Sequence, residues 1–297
     1  FTVSSVMGHV YTSDFEHKHN QWSSIDAFDL YDVPVVKLEA NRKTKIPQTL
    51  QNLAKGKDIL CLWLDCDKEG ENICFEVINN CYKFMNKKNY QQIYRPKFSS
   101  LTKQDLKKAF DNMKERPNKY ESLSVDVRQV IDLKIGVTFT RFLTASILPG
   151  LKDEETKLLS YGPCQTPTLW FCVNRQKEIN SFVPKEYFKV YTDIEIKKIK
   201  KRIYFQNSFW DRKSSNEFLR KFDDTKTAKV SDVKILQKSK ASPCGMNTVQ
   251  LLRIASSFLK ISPHQTMVIA EKLYTMGYIT YPRTETTKYA ATFDFKK

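Results

Sequence analysis

The sequence predicts a multi-domain protein in which an α/β part is followed by α and β parts. Residues 1 to about 120 alternate strand-like and helical segments, a pattern typical of a mostly parallel sheet. Apolar residues then recur at helical spacing after residue 120, and a stretch near residue 190 alternates with a period of two. We therefore predict four parts, which cover residues 1–120, 121–185, 186–244 and 245–297.

Charge and cysteine content narrow the class of protein. The 297 residues carry a formal charge of +16, which suits a nucleic acid, although ribosome binding or attachment to an anionic membrane would fit the same charge. Seven cysteines without a C-x-x-C pair favour reduced thiols inside a cell over disulfides or zinc. No apolar run of transmembrane length, secretory signal or G-x-x-x-x-G-K-[ST] segment occurs. We expect a soluble intracellular protein that does not use ATP.

The first part contains the elements of a parallel sheet. Strands are predicted at residues 1–10, 58–64 and 93–98, and helices at residues 72–84 and 103–113. Residues 58–64 are an apolar run with the length and character of a buried strand. Ligands of open α/β sheets bind beyond the carboxyl ends of the strands, so the residues that follow this run are candidates for a site.

Three carboxylates follow this apolar run. Asp65 and Asp67 lie two residues apart on an extended chain and therefore share one face, and Glu69 lies in the turn beyond them. Three such groups repel one another unless a cation lies between them, and hard oxygen ligands suit Mg²⁺. The alternative is an acidic first helical turn, which explains Glu71 but gives no reason for two aspartates at a strand end. The pattern favours a magnesium site.

Two basic residues flank the end of the third predicted strand. Arg95 and Lys97 are placed where their side chains could reach a phosphate group. The residues alone favour solvated surface charges over such a contact, since most exposed basic side chains have no specific partner. His9, which follows Gly8, fits a loop near the edge of the sheet.

The second part is predicted to be helical. Its apolar spacing predicts one long helix over residues 124–147, on which Arg128 and Asp132 lie four residues apart and would form a simple intrahelical pair. A further helix is predicted over residues 168–179. Thr166 as its N-cap, with a proline next to it, would direct free backbone N–H groups outward, and such an end is a ready anion site. Gln165 and Thr166 are therefore candidate nucleic-acid contacts, with a plain capped helix as the alternative.

The third part shows β patterning. Residues 187–196 alternate with a period of two, and residues 202–205 and 229–231 continue the signal. The basic run at residues 197–202 is predicted to be a solvated hairpin tip.

The last part is predicted to contain two capped helices. Asn247 caps the first, whose apolar face carries Leu251, Leu252, Ala255, Phe258 and Leu259. Ser262 caps the second, predicted over residues 263–276, and Gly277 ends it as a left-handed cap. Two helices joined by a short turn could also form a helix-turn-helix that binds duplex DNA.

Tyr281 follows this second helix and is the candidate nucleophile. The next residue is a proline, which favours an extended conformation for Tyr281 and places Arg283 on the same side of the chain. A phenol loses its proton only near pH 10, so a nucleophilic tyrosine needs positive charge nearby. Arg283 could supply that charge to a phosphate under attack. An ordinary Tyr-Pro turn with a surface arginine is the alternative, and the acidic residues after residues 58–64 weigh against it.

Two segments carry a resemblance to a known family. The sequence D-x-D-x-E-G-E at residues 65–71 resembles the second acidic motif of a toprim domain. The segment GYITYPRTET at residues 277–286 resembles the active-site segment of type IA DNA topoisomerases, in particular the eukaryotic topoisomerase III family and its beta branch. The resemblance extends over nearly the whole chain and includes the segments at residues 5–10, 98–102, 124–129, 162–167 and 245–249.

This resemblance implies a role for each part. Residues 1–120 would be the toprim domain, residues 121–185 a helical domain that binds single strands, residues 186–244 part of a β-rich gate arch, and residues 245–297 part of a helix-turn-helix-like catalytic tyrosine domain. The family's first toprim strand ends in Glu-Lys, and a family histidine follows the tyrosine segment. Neither has a counterpart here, so we expect a fragment.

The resemblance also implies a reaction. Tyr281 would cleave one strand through a 5′-phosphotyrosine link, with Mg²⁺ at Asp65, Asp67 and Glu69, and would then rejoin it without ATP. Arg128 becomes a phosphate contact and Asp132 a base contact. A toprim nuclease, in which water replaces Tyr281, and a catalytically silent nucleic-acid binder remain alternatives.

The implied partners are single-stranded and negatively supercoiled DNA, with RNA as a further substrate. A protein partner of the helicase or RNA-binding scaffold type is expected, and no membrane. The implied location is the nucleus, with the cytoplasm as a second location.

Overall fold

A computed structural model describes residues 1–22, 24–86, 92–113, 115–151, 156–222, 224–241 and 244–288. The chain forms two compact units, one of Phe1–Thr166 with Pro243–Lys297 and the other of Pro167–Ser242. None of the helices in the described residues has the length and apolarity needed to cross a membrane.

The first unit opens with an antiparallel pair of strands. β1 (Tyr11–Phe15) pairs with β2 (Val35–Glu39), with Tyr11 opposite Glu39 and Phe15 opposite Val35. The strand predicted at residues 1–10 is therefore wrong. Phe1 and Val3 are fully or almost fully exposed, so no apolar face holds this segment in a sheet, and Gly8 takes a positive φ of 86°. Between the two strands lie helix α1 (His17–Asn20) and a 3₁₀ turn, Phe28–Tyr31.

The predicted parallel pairing is confirmed, although its strands are short. β3 (Leu60–Cys61) lies parallel to β4 (Ile93–Tyr94), and one further bond joins Leu62 N–H to the carbonyl of Tyr94. The run at residues 58–64 is buried only on one side, since Leu62 is buried while Ile59 and Trp63 are exposed. The strands predicted at residues 58–64 and 93–98 are thus too long, because the side chain of Arg95 takes the carbonyls that a longer ladder would use.

Helices α2 (Ile46–Ala54) and α3 (Lys68–Cys81) cover this small sheet. Apolar side chains of the two helices pack with others from the strands and the segment before β1 to form one core. This core contains Val10, Leu50, Leu62, Cys74, Val77, Ile78 and Ile93. α3 begins four residues earlier than the predicted start at residue 72, because Asp67 caps it, and a 3₁₀ turn (Tyr82–Phe84) continues it. α4 (Lys103–Asp111) is close to the predicted 103–113 and is capped by Thr102.

The predicted long helix is confirmed as α5 (Lys119–Ser146). It begins five residues before the predicted start, because the side chain of Asn118 accepts hydrogen bonds from two N–H groups of its first turn. Asn72 on α3 donates to the carbonyl of Ser122 at 2.9 Å, which joins α5 to the domain that carries the acidic residues.

Helix α6 (Gln165–Ser181) starts at the end of the first unit, and the remainder of the second unit is built on a hairpin. β5 (Tyr191–Ile196) and β6 (Ile199–Tyr204) are antiparallel, and Lys197 and Lys198 form their turn with positive φ. Lys197 and Lys198 are therefore at the hairpin tip, as predicted, whereas residues 199–202 of the basic run belong to β6. Helix α7 (Arg212–Arg220) follows. No strand forms at residues 229–231, where the prediction was wrong; Val230 is exposed and has no partner strand in the described residues.

Both predicted caps of the last part are confirmed. Asn247 caps α8 (Thr248–Ile254), which continues as one π-helical turn, Ala255–Leu259. Ser262 caps α9 (Pro263–Thr275), and Gly277 follows with a positive φ of 81°. The predicted apolar face is buried only at Ala255, since Phe258 and Leu259 are exposed within the described residues.

Candidate active site

The acidic segment is held in place by one buried arginine. The guanidinium of Arg95, which is fully buried, donates to the carbonyl oxygens of Leu64 at 2.7 Å and Asp65 at 2.6 Å. The interpretation of Arg95 as a solvated charge is therefore wrong. Its hydrogen bonds replace the sheet ladder after β3 and fix the backbone from which Asp65 projects.

Glu71 balances the charge of this arginine. Its fully buried carboxylate accepts from Arg95 Nε at 3.0 Å, from the ammonium of Lys97 and from the backbone N–H of Asn118 at 2.7 Å. Burial acts to raise the pKa of Glu71, but the hydrogen bonds from Lys97 and Asn118 and the charge of Arg95 outweigh it, so the pKa is lowered. Glu71 is thus an internal ion-pair partner and more than an acidic first-turn residue. The predicted phosphate contact of Lys97 stays a prediction, with its ammonium engaged by Glu71.

Asp67 performs two functions at the start of α3. Its Oδ1 accepts from the N–H of Gly70 at 2.7 Å, so one carboxylate oxygen caps the helix. Gly70 lies against the acidic segment so closely that a Cβ added there would overlap the backbone oxygen of Asp65. A side chain at position 70 is therefore incompatible with this placement of the two aspartates.

We expect Gly70→Ala to destabilise the first unit by about 1–3 kcal/mol, because the Asp65 carbonyl must move away from its bond with Arg95. Urea unfolding followed by circular dichroism measures this change. Gly150→Ala is the matched control, since nothing lies within 4 Å of a Cβ at Gly150. Equal stability of the two variants would contradict the close packing at Gly70.

The tyrosine segment meets the acidic segment. Tyr281 Oη donates to Asp67 Oδ2 at 2.6 Å, although 214 positions separate the two residues in sequence. The backbone N–H of Tyr281 donates to the carbonyl of Ser99 at 2.8 Å. On the other side, Thr248 Oγ1 bonds to the carbonyl of Pro282 at 2.7 Å and accepts from the N–H of Thr284 at 2.8 Å. The segment around Tyr281 is therefore held by Ser99, in the loop after β4, and by Thr248, the first residue of α8.

A second tyrosine, Tyr274, belongs to the same cluster and was not predicted. It lies on α9, is buried, and donates from its hydroxyl to Asp65 Oδ1 at 3.3 Å. Its ring lies edge-on to the ring of Tyr281, with centroids 5.3 Å apart. Two phenols thus face two aspartates. The sequence signal was weak, because a tyrosine on an amphipathic helix is an ordinary core residue.

This arrangement raises the pKa values of Tyr281, Tyr274 and Asp65. Burial raises the pKa of Tyr281, and the hydrogen bond to Asp67 and the charges of Asp67 and Asp65 raise it further, while Arg283 lowers it. Burial also raises the pKa of Tyr274 and that of Asp65. For Asp65, the hydrogen bond from Tyr274 acts in the opposite direction and the charge of Asp67 adds to the rise. The pocket therefore has an excess of negative charge that a cation would relieve.

Glu69 contacts two basic side chains. Its Oε1 accepts from Arg128 Nη2 at 2.7 Å, and its Oε2 lies 2.9 Å from His9 Nε2. The structure thus brings Asp65 and Asp67 together with Tyr281 but leaves Glu69 in ion pairs. Among the residues that the structure describes, no three His, Cys, Asp or Glu side chains are grouped closely enough to hold a metal ion.

The residues present nevertheless fit a hard cation. Asp65 and Asp67 supply carboxylate oxygens to the cluster with Tyr274 and Tyr281, and the charge of Asp67 contributes to the raised pKa of Asp65. Glu69 lies two residues further on, in the first turn of α3. The ligand assignment of all three carboxylates stays a prediction.

Arg283 lies beside the pocket without contacting Asp67. Its guanidinium pairs with Glu271 of α9, with Nε 3.0 Å from Oε1, and just over half of its side chain is exposed. Its charge still acts on Tyr281, since it lowers the pKa of that phenol. Its predicted role at the phosphate stays open to test.

Besides Lys97, the predicted strand contacts lie on α5 and at the start of α6. Arg128 and Asp132 form the expected intrahelical pair on α5, at 3.5 Å. Asp132 lines a groove of about 590 Å³ together with Trp22, Arg141 and Tyr161.

The expected anion site at the start of α6 differs from the prediction. The helix begins at Gln165 and not after Thr166, because the N–H of Thr166 donates to the carbonyl of Gly162 at 3.0 Å. In return, the N–H of Gly162 donates to Thr166 Oγ1 at 3.2 Å. The N–H of Thr166 is therefore already used, and the contact of Thr166 with a nucleic acid stays a prediction, as does that of Gln165.

Two family profiles match the chain. The profile of the Toprim domain matches residues 1–101, and that of the DNA topoisomerase family matches residues 116–297. DNA topoisomerase 3-beta of Arabidopsis thaliana is 45% identical over 296 residues, which are 99% of this chain and 34% of the relative. DNA topoisomerase 3-beta-1 of Homo sapiens is 43% identical, over 100% of this chain and 35% of the relative. The chain thus spans about a third of the length of these curated relatives.

A solved structure has a similar fold. Full-length topoisomerase I from Thermotoga maritima aligns with a TM-score of 0.62 at 24% identity, over 96% of this chain and 46% of that one. Toprim domains typically bind a divalent metal, which agrees with the paired aspartates of residues 1–101. The two profile matches, the relatives and the meeting of Tyr281 with the acidic segment lead to one family: this chain belongs to the type IA DNA topoisomerases.

Proposed function

We propose that this chain cleaves and rejoins one strand of DNA without ATP, through a transient covalent bond to Tyr281. The observation that carries the proposal is the 2.6 Å hydrogen bond between Tyr281 and Asp67, in a pocket shared with Asp65 and Tyr274. A simple duplex-binding module has no use for two carboxylates beside DNA phosphates. Because the chain spans about a third of its relatives, strand passage and gate movement are proposals for the whole protein.

The chemistry begins at the Tyr281 hydroxyl. Its oxygen forms a bond to a backbone phosphorus while the bond from that phosphorus to the 3′ oxygen breaks. This leaves a 5′-phosphotyrosine and a 3′ oxygen, which takes up a proton from water and becomes a free 3′-hydroxyl. Asp67 Oδ2 already accepts the phenol hydrogen and is placed to receive the proton as attack proceeds. One phosphodiester replaces another, so the 3′-hydroxyl can reverse the reaction without a nucleotide. Transient single-strand cleavage of this kind relaxes negatively supercoiled DNA and resolves linked strands.

Positive charge near the phosphate would come from two sources. Asp65 and Asp67, with Glu69 as a third ligand, would hold a divalent cation, for which we propose Mg²⁺. When bound, that ion offsets negative charge that builds up on the attacked phosphate. Arg283, whose charge already acts on Tyr281, would contribute from the other side after leaving Glu271.

A single strand would lie along α5. We propose that Arg128 contacts a phosphate and that Asp132 contacts a base in the groove with Trp22 and Tyr161. Exposed aromatic rings in such a groove provide stacking surfaces for bases. Gln165, Thr166 and Lys97 are proposed as further contacts. The net charge of +16 supports association with a polyanion over long distances.

The proposed substrates are single-stranded and negatively supercoiled DNA, and RNA as a further substrate. We also propose a helicase or RNA-binding scaffold protein as partner, and the nucleus and cytoplasm as locations. Immunofluorescence and co-purification from cells test these last proposals.

The test of the reaction uses single-stranded oligonucleotides labelled at one end or the other, with Mg²⁺ and without ATP. A 3′ label should move into a denaturation-resistant protein adduct, and a 5′ label should appear on a shorter fragment with a free 3′-hydroxyl. Cleavage without an adduct would favour a toprim nuclease. Binding without cleavage, also by a chain extended at both ends, would favour a silent nucleic-acid binder.

Asp67→Asn tests the cation site. Asparagine keeps an oxygen that can accept the N–H of Gly70 and so cap α3, but it loses the charge. We expect religation to need about 10- to 100-fold more Mg²⁺. Asp211→Asn is the matched control, since Asp211 caps α7 in the same way through the N–H of Ser214. An unchanged Mg²⁺ dependence would remove Asp67 from the ion site.

A further inference from the structure

We propose that Arg128 is a latch on Glu69, which holds this carboxylate away from the cation site until a strand phosphate engages the guanidinium. In the strand-free protein the latch is closed, and a bound strand opens it. The inference rests on the proposed function, because it takes Glu69 as a cation ligand and Arg128 as a phosphate contact.

The closed state is what the structure contains. Both carboxylate oxygens of Glu69 contact basic side chains: one lies 2.7 Å from Arg128 Nη2 and the other 2.9 Å from His9 Nε2. These partners come from two separate elements, α5 and the loop before β1. A carboxylate engaged in this way is not available to share a cation with Asp65 and Asp67, although it follows Asp67 by only two residues.

The two partners differ in how firmly they are held. His9 also contacts Glu76, whose buried carboxylate lies 3.4 Å from His9 Nδ1. The same carboxylate accepts a hydrogen bond from the N–H of Val10 at 2.8 Å, which holds the backbone next to His9 in place. Arg128 is held more loosely: its second partner, Asp132 on the same helix, lies 3.5 Å from Nη1, and 54% of its side chain is exposed. Ion pairs between exposed side chains contribute little to stability, so the pair of Arg128 and Glu69 can break at small cost. Arg128 is therefore the movable part of the latch.

Arg128 can exchange Glu69 for a phosphate without being left unpaired. Its other terminal nitrogen, Nη1, lies 3.5 Å from Asp132, one turn further along α5. A guanidinium binds phosphate oxygens through the same donor pairs that it offers to a carboxylate. A phosphate that arrives beside Asp132 therefore competes directly with Glu69 for Arg128. The released Glu69 needs only a side-chain rotation, since Asp67 already fixes the first turn of α3.

The latch makes strand binding and cation binding support each other. If a strand raises the affinity for the cation by some factor, the cation must raise the affinity for the strand by the same factor. The third carboxylate would then join the cation site chiefly when a strand is present to be cleaved.

The experiment measures Mg²⁺ binding to the 297-residue chain by isothermal titration calorimetry, without nucleic acid. The Asp67→Asn variant serves as the control for Mg²⁺ that binds outside the proposed site. Four proteins form a cycle: the unaltered chain, Arg128→Gln, Glu69→Gln and the double variant. We expect Arg128→Gln to raise the Mg²⁺ affinity about two- to fivefold, the range set by an exposed ion pair. In the Glu69→Gln background the same substitution should have a much smaller effect.

The cycle separates the latch from a general charge effect. An equal gain in both backgrounds would mean that removing any nearby positive charge favours the cation, and the latch would be wrong. No gain in either background would also overturn it. An unaltered chain that forms the adduct but binds no Mg²⁺ at the site would overturn both the latch and the ion assignment, while leaving the role of Tyr281 intact.

A second measurement tests the open state in a Tyr281→Phe background, where the strand stays uncleaved. A saturating single-stranded oligonucleotide should raise the Mg²⁺ affinity more in the protein with Arg128 than in the Arg128→Gln variant. An equal effect in both would show that the strand does not act through Arg128.

Discussion

Tyr281→Phe is expected to abolish the covalent adduct while leaving the fold and strand binding intact. The substitution removes one oxygen, the atom that would bond to phosphorus, and keeps the ring that packs edge-on against Tyr274. Loss of a nucleophile lowers rates on the order of 10⁴-fold or more, so no adduct should be seen on the 3′-labelled oligonucleotide. Relaxation of negatively supercoiled DNA should be lost in parallel. The measurement is denaturing electrophoresis of the labelled product after incubation with Mg²⁺.

Tyr278→Phe is the matched control for this experiment. Tyr278 lies three residues upstream in the same segment, and its side chain is largely exposed. We expect its loss of an oxygen to leave adduct formation unchanged. Persistent cleavage by Tyr281→Phe, with products but without an adduct, would mean that water is the nucleophile and would overturn the assignment of Tyr281.

Arg95→Met is expected to destabilise the first unit by about 3–5 kcal/mol, because it removes one member of a fully buried ion pair. Methionine has a similar length but no donors, so the carbonyls of Leu64 and Asp65 lose their bonds. Glu71 would keep only Lys97 and the N–H of Asn118. Unfolding in urea, followed by circular dichroism, measures the loss of stability.

Adduct formation by the folded fraction gives an independent measurement for this variant. Because Arg95 fixes the backbone that carries Asp65, we expect the Mg²⁺ requirement to rise under conditions where the variant is still folded. Arg175→Met is the matched control, since Arg175 pairs with Glu178 on the surface of α6 and its loss should cost only about 0–1 kcal/mol. Equal stability of the two variants would mean that the buried pair contributes nothing beyond a surface pair.

Local signals predicted most of the helices and their ends. The caps at Asn247 and Ser262 and the left-handed Gly277 were read from short-range patterns, because a cap depends on side chains within three residues of it. The strands were predicted less well. Residues 1–10 and 229–231 have β-forming side chains but find no partner strand in the described residues, and strand formation depends on such a partner.

Arg95 shows why part of the site escaped prediction. In sequence it is a basic residue after a strand, and such residues are usually exposed. In the structure it is fully buried, because Glu71 and several carbonyls from residues more than 20 positions away satisfy its donors. Tyr274 is similar, since its role follows from the position of Asp65, 209 residues earlier in the chain.

The reacting groups could be recognised from the chain alone: a tyrosine on an extended segment after a capped helix, and aspartates at the end of an apolar strand. These follow from local backbone geometry and side-chain chemistry. The folded protein was needed to see that the Tyr281 hydroxyl reaches Asp67, that Tyr274 reaches Asp65 and that Glu69 is held by Arg128 and His9. The physical reason is that hydrogen bonds and charges act over a few ångströms in space, and sequence separation does not specify that distance.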